Sequence, residues 1–476
     1  MVPERSTRRR LLATVAGVGS ALLAGCQGDG DATTATTGTT ATTETTATTT
    51  TRGPTTTGET TTEETTERTT AEQPDYEATA RDLIARLDAG EWERARELVA
   101  PSVRPQLTTN QLANAWLGLV GQKGPYRGVA DATREPGGVV VLSLSLDRRD
   151  HDARVTVDDG GEVIGLRFPP GEYEPPAYAD RAAFSERSVT VEDDDCTLAG
   201  TLTVPTGDGP VPGVVLVHGS GAHDRNQAVG PNRPFQDLAW GLATRGVAVL
   251  RYEKENRACR MPPADQTIDE VVVDDAVAAA EVLGAAEGVR ADATFVAGHS
   301  LGGAATPRIL EQAPDVAGGA MLAAPSRTAT TLVVEQVEHV LSLDGDLDGD
   351  DQSRLETVRE EVERVEDGDV TDGELVLNYP GAWWRTLLAY DQVATARGRS
   401  RPLALFQGGR DYQVDPEADL DRWREALPAA TVHEYPSLNH FLQPGQGPST
   451  NAGYTFFDNV AEDLVDDLAA WVDRQA

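Results

Sequence analysis

The stretch from Ala293 to Gly303 constrains this chain more than any other. Thr294-Phe295-Val296-Ala297 is a short apolar run that reads as a buried strand; it stops at Gly298, and a helical pattern begins just after Gly302. Between them lies Gly298-His299-Ser300-Leu301-Gly302, the G-x-S-x-G pattern of a nucleophile elbow. The chemistry requires small neighbours here. A serine turned sharply between strand and helix sits in a strained backbone conformation, and nearby Cβ atoms would clash. Such a turn lifts the Ser300 hydroxyl to the C-terminal edge of a sheet. It also leaves the amide of Leu301, at the start of the new helix, free to donate to an oxyanion.

The surrounding pattern supplies the sheet. Leu198 to Val204 alternates and opens it, with a hairpin partner over Ser188 to Val191. Gly213 to Val217 is a buried strand, after which helical and apolar segments take turns: Phe235 to Thr244, Val247 to Tyr252, Ile268 to Leu283, Thr294 to Ala297, Leu301 to Leu310 and Ala317 to Leu322. Continuous Val/Leu strands separated by amphipathic helices indicate a parallel sheet with both faces covered. The alternation breaks at about 326–400, as a lid insertion would. It resumes with Leu403 to Phe406, a helix over Glu417 to Leu427, Val432 to Tyr435 and a terminal helix. The fold class is therefore α/β over residues 188–476.

A serine hydroxyl attacks near neutral pH only if a base takes its proton, and the base needs a carboxylate to fix its tautomer. With the elbow leading, acid and then histidine follow it in the chain. Gln407-Gly408-Gly409-Arg410-Asp411 closes a strand, and its turn presents the Asp411 carboxylate at the sheet edge. Asp415 competes but precedes Pro416 and Glu417 as a helix N-cap would. The base belongs in the loop after the next strand, where His440 lies. His433 falls within that strand, His339 in the lid, His223 in an early loop and His299 at the variable elbow position, while His218 reads as structural. His218-Gly219-Ser220-Gly221 ends an early strand, so the Ser220 amide, or that of Gly221, would join Leu301 in an oxyanion hole. A Gly-rich phosphate loop would continue with G-K-[ST], which is absent.

His218 to Arg225, Pro231 to Trp240, Val249 to Tyr252, Gly298 to Gly303 and Gly409 to Val414 together resemble the secreted α/β-hydrolase esterases of the EstD type. The resemblance covers most of residues 188–476. It implies the α/β-hydrolase fold and hydrolysis of a small-molecule carboxylic ester by Ser300, Asp411 and His440. The chain departs from the family's Arg-Tyr-Asp with Glu253, followed by Lys254-Glu255-Asn256. Thioester or peptide hydrolysis would use the same three residues. A surface scaffold with a degenerate hydrolase fold is the reading from another class, and the complete Ser-Asp-His set weighs against it.

Before that domain come three further regions. Residues 1–26 read as a Tat-type signal, with Arg8-Arg9 ahead of an apolar run. Leu23-Ala24-Gly25-Cys26 resembles a lipobox, which implies lipidation of Cys26; the alternative, a plain membrane anchor, needs a longer run. Residues 27–75 are Thr-rich and lack the apolar surface to fold, so a disordered tether is expected. Residues 76–175 place helical spacing (Ala78 to Val99, Asn110 to Val120) before alternating runs at Val139 to Leu146, Ala153 to Val157 and Val163 to Phe168, an α+β order. This region resembles the small NTF2-like domain of the DUF3887 type. That likeness implies a pocket, but no carboxylate–histidine set accompanies it, and a scaffold role is favoured. His151, among Arg148, Arg149, Asp150 and Asp152, reads as a surface residue.

Charge bounds the partners. Lys+Arg number 41 against Asp+Glu 77, a formal −36, which disfavours nucleic acid. Repulsion of acidic substrates or buffering of cations is one account. Adaptation to molar salt, which screens self-repulsion, fits the even spread of acid better. Asp344 to Asp350 imitates the start of a calcium loop, but Leu355 stands where a bidentate Glu is required, so neither metal nor cofactor is expected. Trp383, Trp384 and Tyr390 read either as acyl contacts or as a lid helix's packing face. Cys196 and Cys259 are open between one disulfide and two unrelated thiols. The oligomeric state is not legible.

Overall fold

A computed structural model describes residues 74–193, 196–345 and 347–476. The signal, Cys26, residues 27–73 of the tether, and Asp194, Asp195 and Asp346 lie outside the described residues.

Helices Tyr76–Asp88, Trp92–Glu97 and Thr109–Lys123 precede strands β1 (Tyr126–Glu135), β2 (Val139–Leu146), β3 (His151–Val157) and β4 (Val163–Arg167). The strands pair antiparallel in chain order. Asp75 caps the first helix by accepting from the Ala78 amide, and a Thr108–Gln111 capping box starts the third. Leu83, Ile84 and Leu87, one face of that first helix, are buried with Leu142, Leu144 and Val155 from alternate strand positions. Strand β1 lies beyond the sequence reading because Tyr126 to Glu135 carries no buried alternation. His151 is half-buried rather than a free surface residue. Its ring meets Phe456 edge-on with centroids 5.4 Å apart, and burial lowers its pKa to about 4. The flanking charges face solvent, whereas Phe456 arrives from the far end of the chain.

The larger sheet contains β5 (Phe184–Asp193), β6 (Cys196–Pro205), β7 (Val211–Val217), β8 (Ala248–Tyr252), β9 (Val289–His299), β10 (Gly318–Leu322), β13 (Leu403–Gly408) and β14 (Thr431–Tyr435); β11 (Leu375–Val376) and β12 (Tyr379–Pro380) form a small separate hairpin. Its order is β14-β13-β10-β9-β7-β8-β6-β5, parallel from β14 to β8 and antiparallel at β6 and β5. Alternate residues build the two faces. Val214, Leu216, Phe295, Ala297, Ala404 and Phe406 pack on helices Pro234–Thr244 and Glu462–Gln475. Val215, Val217, Val296, Met321 and Leu405 pack on helices Asp275–Gly284, Leu301–Gln312 and Pro416–Ala426. This is the α/β-hydrolase arrangement. The expected helix over Ile268 to Leu283 is instead a π-helical segment, Asp269–Asp274, running into the α-helix.

Between β10 and β13 stand the lid helices Ala329–Leu341, Gly349–Glu366, Gly381–Leu388 and Gln392–Arg397, with the β11–β12 hairpin. Leu355 is buried in the lid with Val337, Val340 and Leu341, and Asp348 caps its helix through the Asp350 and Asp351 amides. Cys196 and Cys259 form a disulfide with Cα atoms 6.2 Å apart, tying the start of β6 to the loop after β8. Sequence alone left that pairing open because only the fold brings the two Cα atoms within reach.

Candidate active site

The elbow follows from its glycines. A Cβ on Gly298 would stand 2.1 Å from the Gly302 carbonyl oxygen, one on Gly302 would stand 2.5 Å from that of Val217, and one on Gly303 would meet the Ala324 Cβ at 2.7 Å. None of these contacts is possible, so strand, turn and helix pack only with glycine. Ser300 itself takes φ 53° and ψ −118°, strained for a residue with a Cβ, and its amide donates to the Leu322 carbonyl at 2.8 Å. Strand β7 runs beside β9 with Val217 opposite Gly298, so the loop after β7 emerges next to Ser300. A Cβ on Gly219 would reach 3.1 Å from the Ser300 Cβ, which sets how close the two turns lie.

Asp411 follows β13 and His440 follows β14. The His440 Nδ1 and Asp411 Oδ2 are 2.8 Å apart, with both side chains buried. Asp411 Oδ1 accepts from the amides of Gln413 (2.9 Å) and Val414 (3.0 Å), and Oδ2 also accepts from Gln407 Nε2 (3.2 Å). An acid ringed by donors is suited to its ionised form, so Nδ1 of His440 donates and Nε2 is left to accept a proton. Asp415 instead caps helix Pro416–Ala426 through the Ala418 amide at 2.7 Å.

Ser300, Leu301, Ser220 and His440 line one cavity. Among the described residues, the amides of Ser220 and Leu301 donate to no protein acceptor. Gly221, in a left-handed conformation at φ 99°, is buried and does not line the cavity. Ser220 is therefore the better placed of the two candidate donors.

A buried network that sequence reading missed joins these parts. Gln227, at a strained φ of 49°, accepts from the Gly219 amide at 3.0 Å and donates to His299 Nδ1 at 2.8 Å. His299 Nε2 must then carry the proton, and it donates to the His440 carbonyl at 2.8 Å. Burial first, and the neighbouring His440 second, hold the His299 pKa well below the ordinary value, in keeping with a neutral ring. The variable position of the elbow thus ties the oxyanion turn to the base loop. His218 Nε2 lies 3.1 Å from the Asp224 carbonyl oxygen and packs on Phe235 and Tyr252, a structural role. His433 stacks on Phe406, and His339 bonds the Ser449 carbonyl at 2.9 Å; both are outside the cavity wall.

The lid closes the cavity with Leu332, Trp383, Leu387, Leu388 and Tyr390. Trp384 is a packing residue, fully buried with its indole N–H on the Val376 carbonyl at 2.9 Å. Tyr390 does both jobs, lining the cavity while its hydroxyl bonds the Ala304 carbonyl at 2.9 Å. Arg327 also lines the wall, but its guanidinium is engaged by Asp419 at 2.9 Å and Glu335 at 2.7 Å.

The chain is similar to several known proteins. A family profile described as Serine aminopeptidase, S33 matches residues 210–446. Esterase EstD of Thermotoga maritima is 32% identical over 398 residues, which span 82% of this chain and 93% of that protein. Among solved structures, Est1E from Butyrivibrio proteoclasticus superposes with a TM-score of 0.41 at 15% identity, over 60% of this chain and 98% of its own. An esterase of Pyrobaculum calidifontis does so with a TM-score of 0.40 at 15% identity, over 61% and 85%.

Proposed function

The chain belongs to the α/β-hydrolase family of Esterase EstD and is a carboxylic ester hydrolase; we propose that it works through Ser300, His440 and Asp411 by way of an acyl-enzyme. The observation that carries this reading is the buried 2.8 Å bond to Asp411 made by His440, which lines the same cavity as the strained Ser300. Ser300 Oγ attacks the ester carbonyl while His440 Nε2 takes its proton. The oxygen that becomes negative is met by the Ser220 and Leu301 amides. His440 then protonates the leaving alcohol, and water, activated by the same ring, releases the acid. Thioesters and peptides fit the same steps, and the esterase relative favours esters.

The test is hydrolysis of p-nitrophenyl acetate and butyrate by the full chain in molar salt, with a fluorophosphonate label mapped by mass spectrometry. Turnover and a label on the peptide containing Ser300 are expected. A folded protein that neither turns over nor labels would leave the scaffold reading standing. The formal charge of −36 supports salt adaptation, so diluting the same assay to low ionic strength should cost both activity and the cooperative thermal transition. Full activity in dilute buffer would refute that part alone.

For location, Arg8-Arg9 and Leu23 to Cys26 support export and a lipid anchor on the outer face of the membrane, with residues 27–75 as tether. Cys26→Ser should move the protein from the membrane to the soluble fraction, and unchanged partitioning would count against the anchor. For the NTF2-like domain a scaffold role is supported by its third helix. Gln122 Nε2 donates to the Pro444 carbonyl at 3.2 Å, Asn439 Nδ2 donates to Gln122 Oε1 at 3.3 Å, and Arg410 Nη2 donates to the Gly121 carbonyl at 3.0 Å. Arg410 and Asn439 immediately precede the acid and the base in the chain.

A further inference from the structure

The turn that carries the Ser220 and Gly221 amides is held by two buried side chains, Lys254 and His223, of which His223 also lines the cavity. Lys254 Nζ donates to the Gly219 carbonyl at 2.7 Å, and His223 Nε2 lies 2.6 Å from the Ser220 carbonyl oxygen, which has no hydrogen to give, so the ring donates. A trans peptide unit points its C=O and the following N–H in opposite directions. The Gly219 carbonyl shares its peptide plane with the Ser220 amide, and the Ser220 carbonyl shares its plane with the Gly221 amide. Gripping each carbonyl on the far side therefore fixes where the paired N–H points.

We infer that Lys254 and His223 are positioning residues of the oxyanion hole, Lys254 orienting and polarising the Ser220 donor and His223 fixing the peptide plane after it. This deepens the ester hydrolase reading and rests on it. A charge on a peptide oxygen draws electron density through the amide and strengthens the opposite N–H as a donor. The residue type fits the task. The chain has two lysines among 41 cations, and both are buried with the ammonium on a backbone carbonyl, Lys123 on that of Phe457 and Lys254 on that of Gly219. An arginine fork would bring donors that this pocket would have to satisfy, whereas an ammonium is a point charge. Burying it is costly, and an apolar side chain would pack there at lower cost if packing were its only role.

The charged and titratable groups facing Lys254 are the Asp275 carboxylate and the imidazoles of His218 and His223. Burial pulls the ammonium down to about 8, with Asp275 pulling the other way. Burial and then the Lys254 charge hold His223 at about 4 and His218 well below its ordinary value, so both rings are neutral where the enzyme is assayed. As pH rises through about 8, Lys254 alone in this group loses its charge.

The test is steady-state hydrolysis of p-nitrophenyl butyrate by the full chain carrying Lys254→Met, with folding checked by near-UV circular dichroism. The expected result is a kcat lower by about 10- to 100-fold, less than the loss of a whole oxyanion donor, with KM within about twofold. The wild type should also lose kcat on the alkaline side of pH 8, and the variant should lack that limb. A purely structural lysine would not move the limb. If Lys254→Met does not fold, His223→Leu carries the test, with kcat lower by about 10-fold. A folded variant with wild-type kcat and the same alkaline limb overturns the inference. Failure of the wild type to label at Ser300 would instead overturn the hydrolase reading beneath it, so the two failures are distinguishable.

Discussion

Ser300→Ala is expected to lower kcat for p-nitrophenyl butyrate by about 10⁶-fold, roughly 8 kcal/mol of transition-state stabilisation, with KM nearly unchanged. The change deletes one atom. The 2.8 Å bond between His440 and Asp411 does not involve Ser300, the Leu301 and Ser220 amides are backbone, and the lid contacts belong to Trp383, Leu387 and Tyr390. Substrate should therefore still enter and bind. What disappears is the nucleophile, and the proton that His440 was placed to accept. Alanine keeps the Cβ, so the strain at φ 53° is the same in both proteins and the thermal midpoint should move little. A residual rate about 10³- to 10⁴-fold above water is expected from binding and the oxyanion donors alone. Activity above about 1% of wild type in Ser300→Ala would place the nucleophile elsewhere.

The parts of the site that sequence alone reveals are those written into one short segment. Gly298, Gly302 and Gly303 announce the elbow because the backbones there approach too closely for any Cβ. The turn around Asp411 and the loop holding His440 follow from strand order, as does the Gly219-Ser220 turn. The lid is legible as a break in the helix–strand alternation. What escapes is set by side chains meeting across long stretches of chain. Gln227 and His299 are 72 residues apart, and neither has a sequence signal beyond its polar side chain. Lys254 stands out only as a rare lysine, and nothing local ties it to Gly219, 35 residues before it. The half-burial of His151 is illegible for the same reason, since its apolar neighbour Phe456 comes from the other end of the chain. Strand β1 was hidden by its exposure, because a strand with no buried alternation leaves no period to read.

Asp411→Asn is expected to lower kcat by about 10⁴-fold while leaving the fold intact, and the hydrogen bonds around Asp411 give the reason. Oδ1 sits on two backbone donors, the amides of Gln413 and Val414 at 2.9 and 3.0 Å. In the asparagine variant that position must remain the oxygen, because an NH₂ there would face two N–H groups. The new NH₂ is therefore forced into the Oδ2 position, against Gln407 Nε2 and His440 Nδ1. Gln407 Nε2 also donates to the Gly408 and Val414 carbonyls, each at 3.3 Å, so it stays a donor and offers the new NH₂ no acceptor. The His440 Nδ1 must then become the acceptor, so its proton moves to Nε2. That is the atom required to take the proton from Ser300, and it arrives already occupied. The lost rate should return in part at high pH, where hydroxide can remove the Ser300 proton directly, whereas Ser300→Ala should gain nothing there. Fluorophosphonate labelling of Ser300 should slow in parallel with ester turnover. An Asp411→Asn protein that folds and keeps more than about a tenth of the wild-type kcat would remove the carboxylate from the mechanism. Asp415→Asn, by contrast, replaces one good N-cap with another and should leave kcat near wild type.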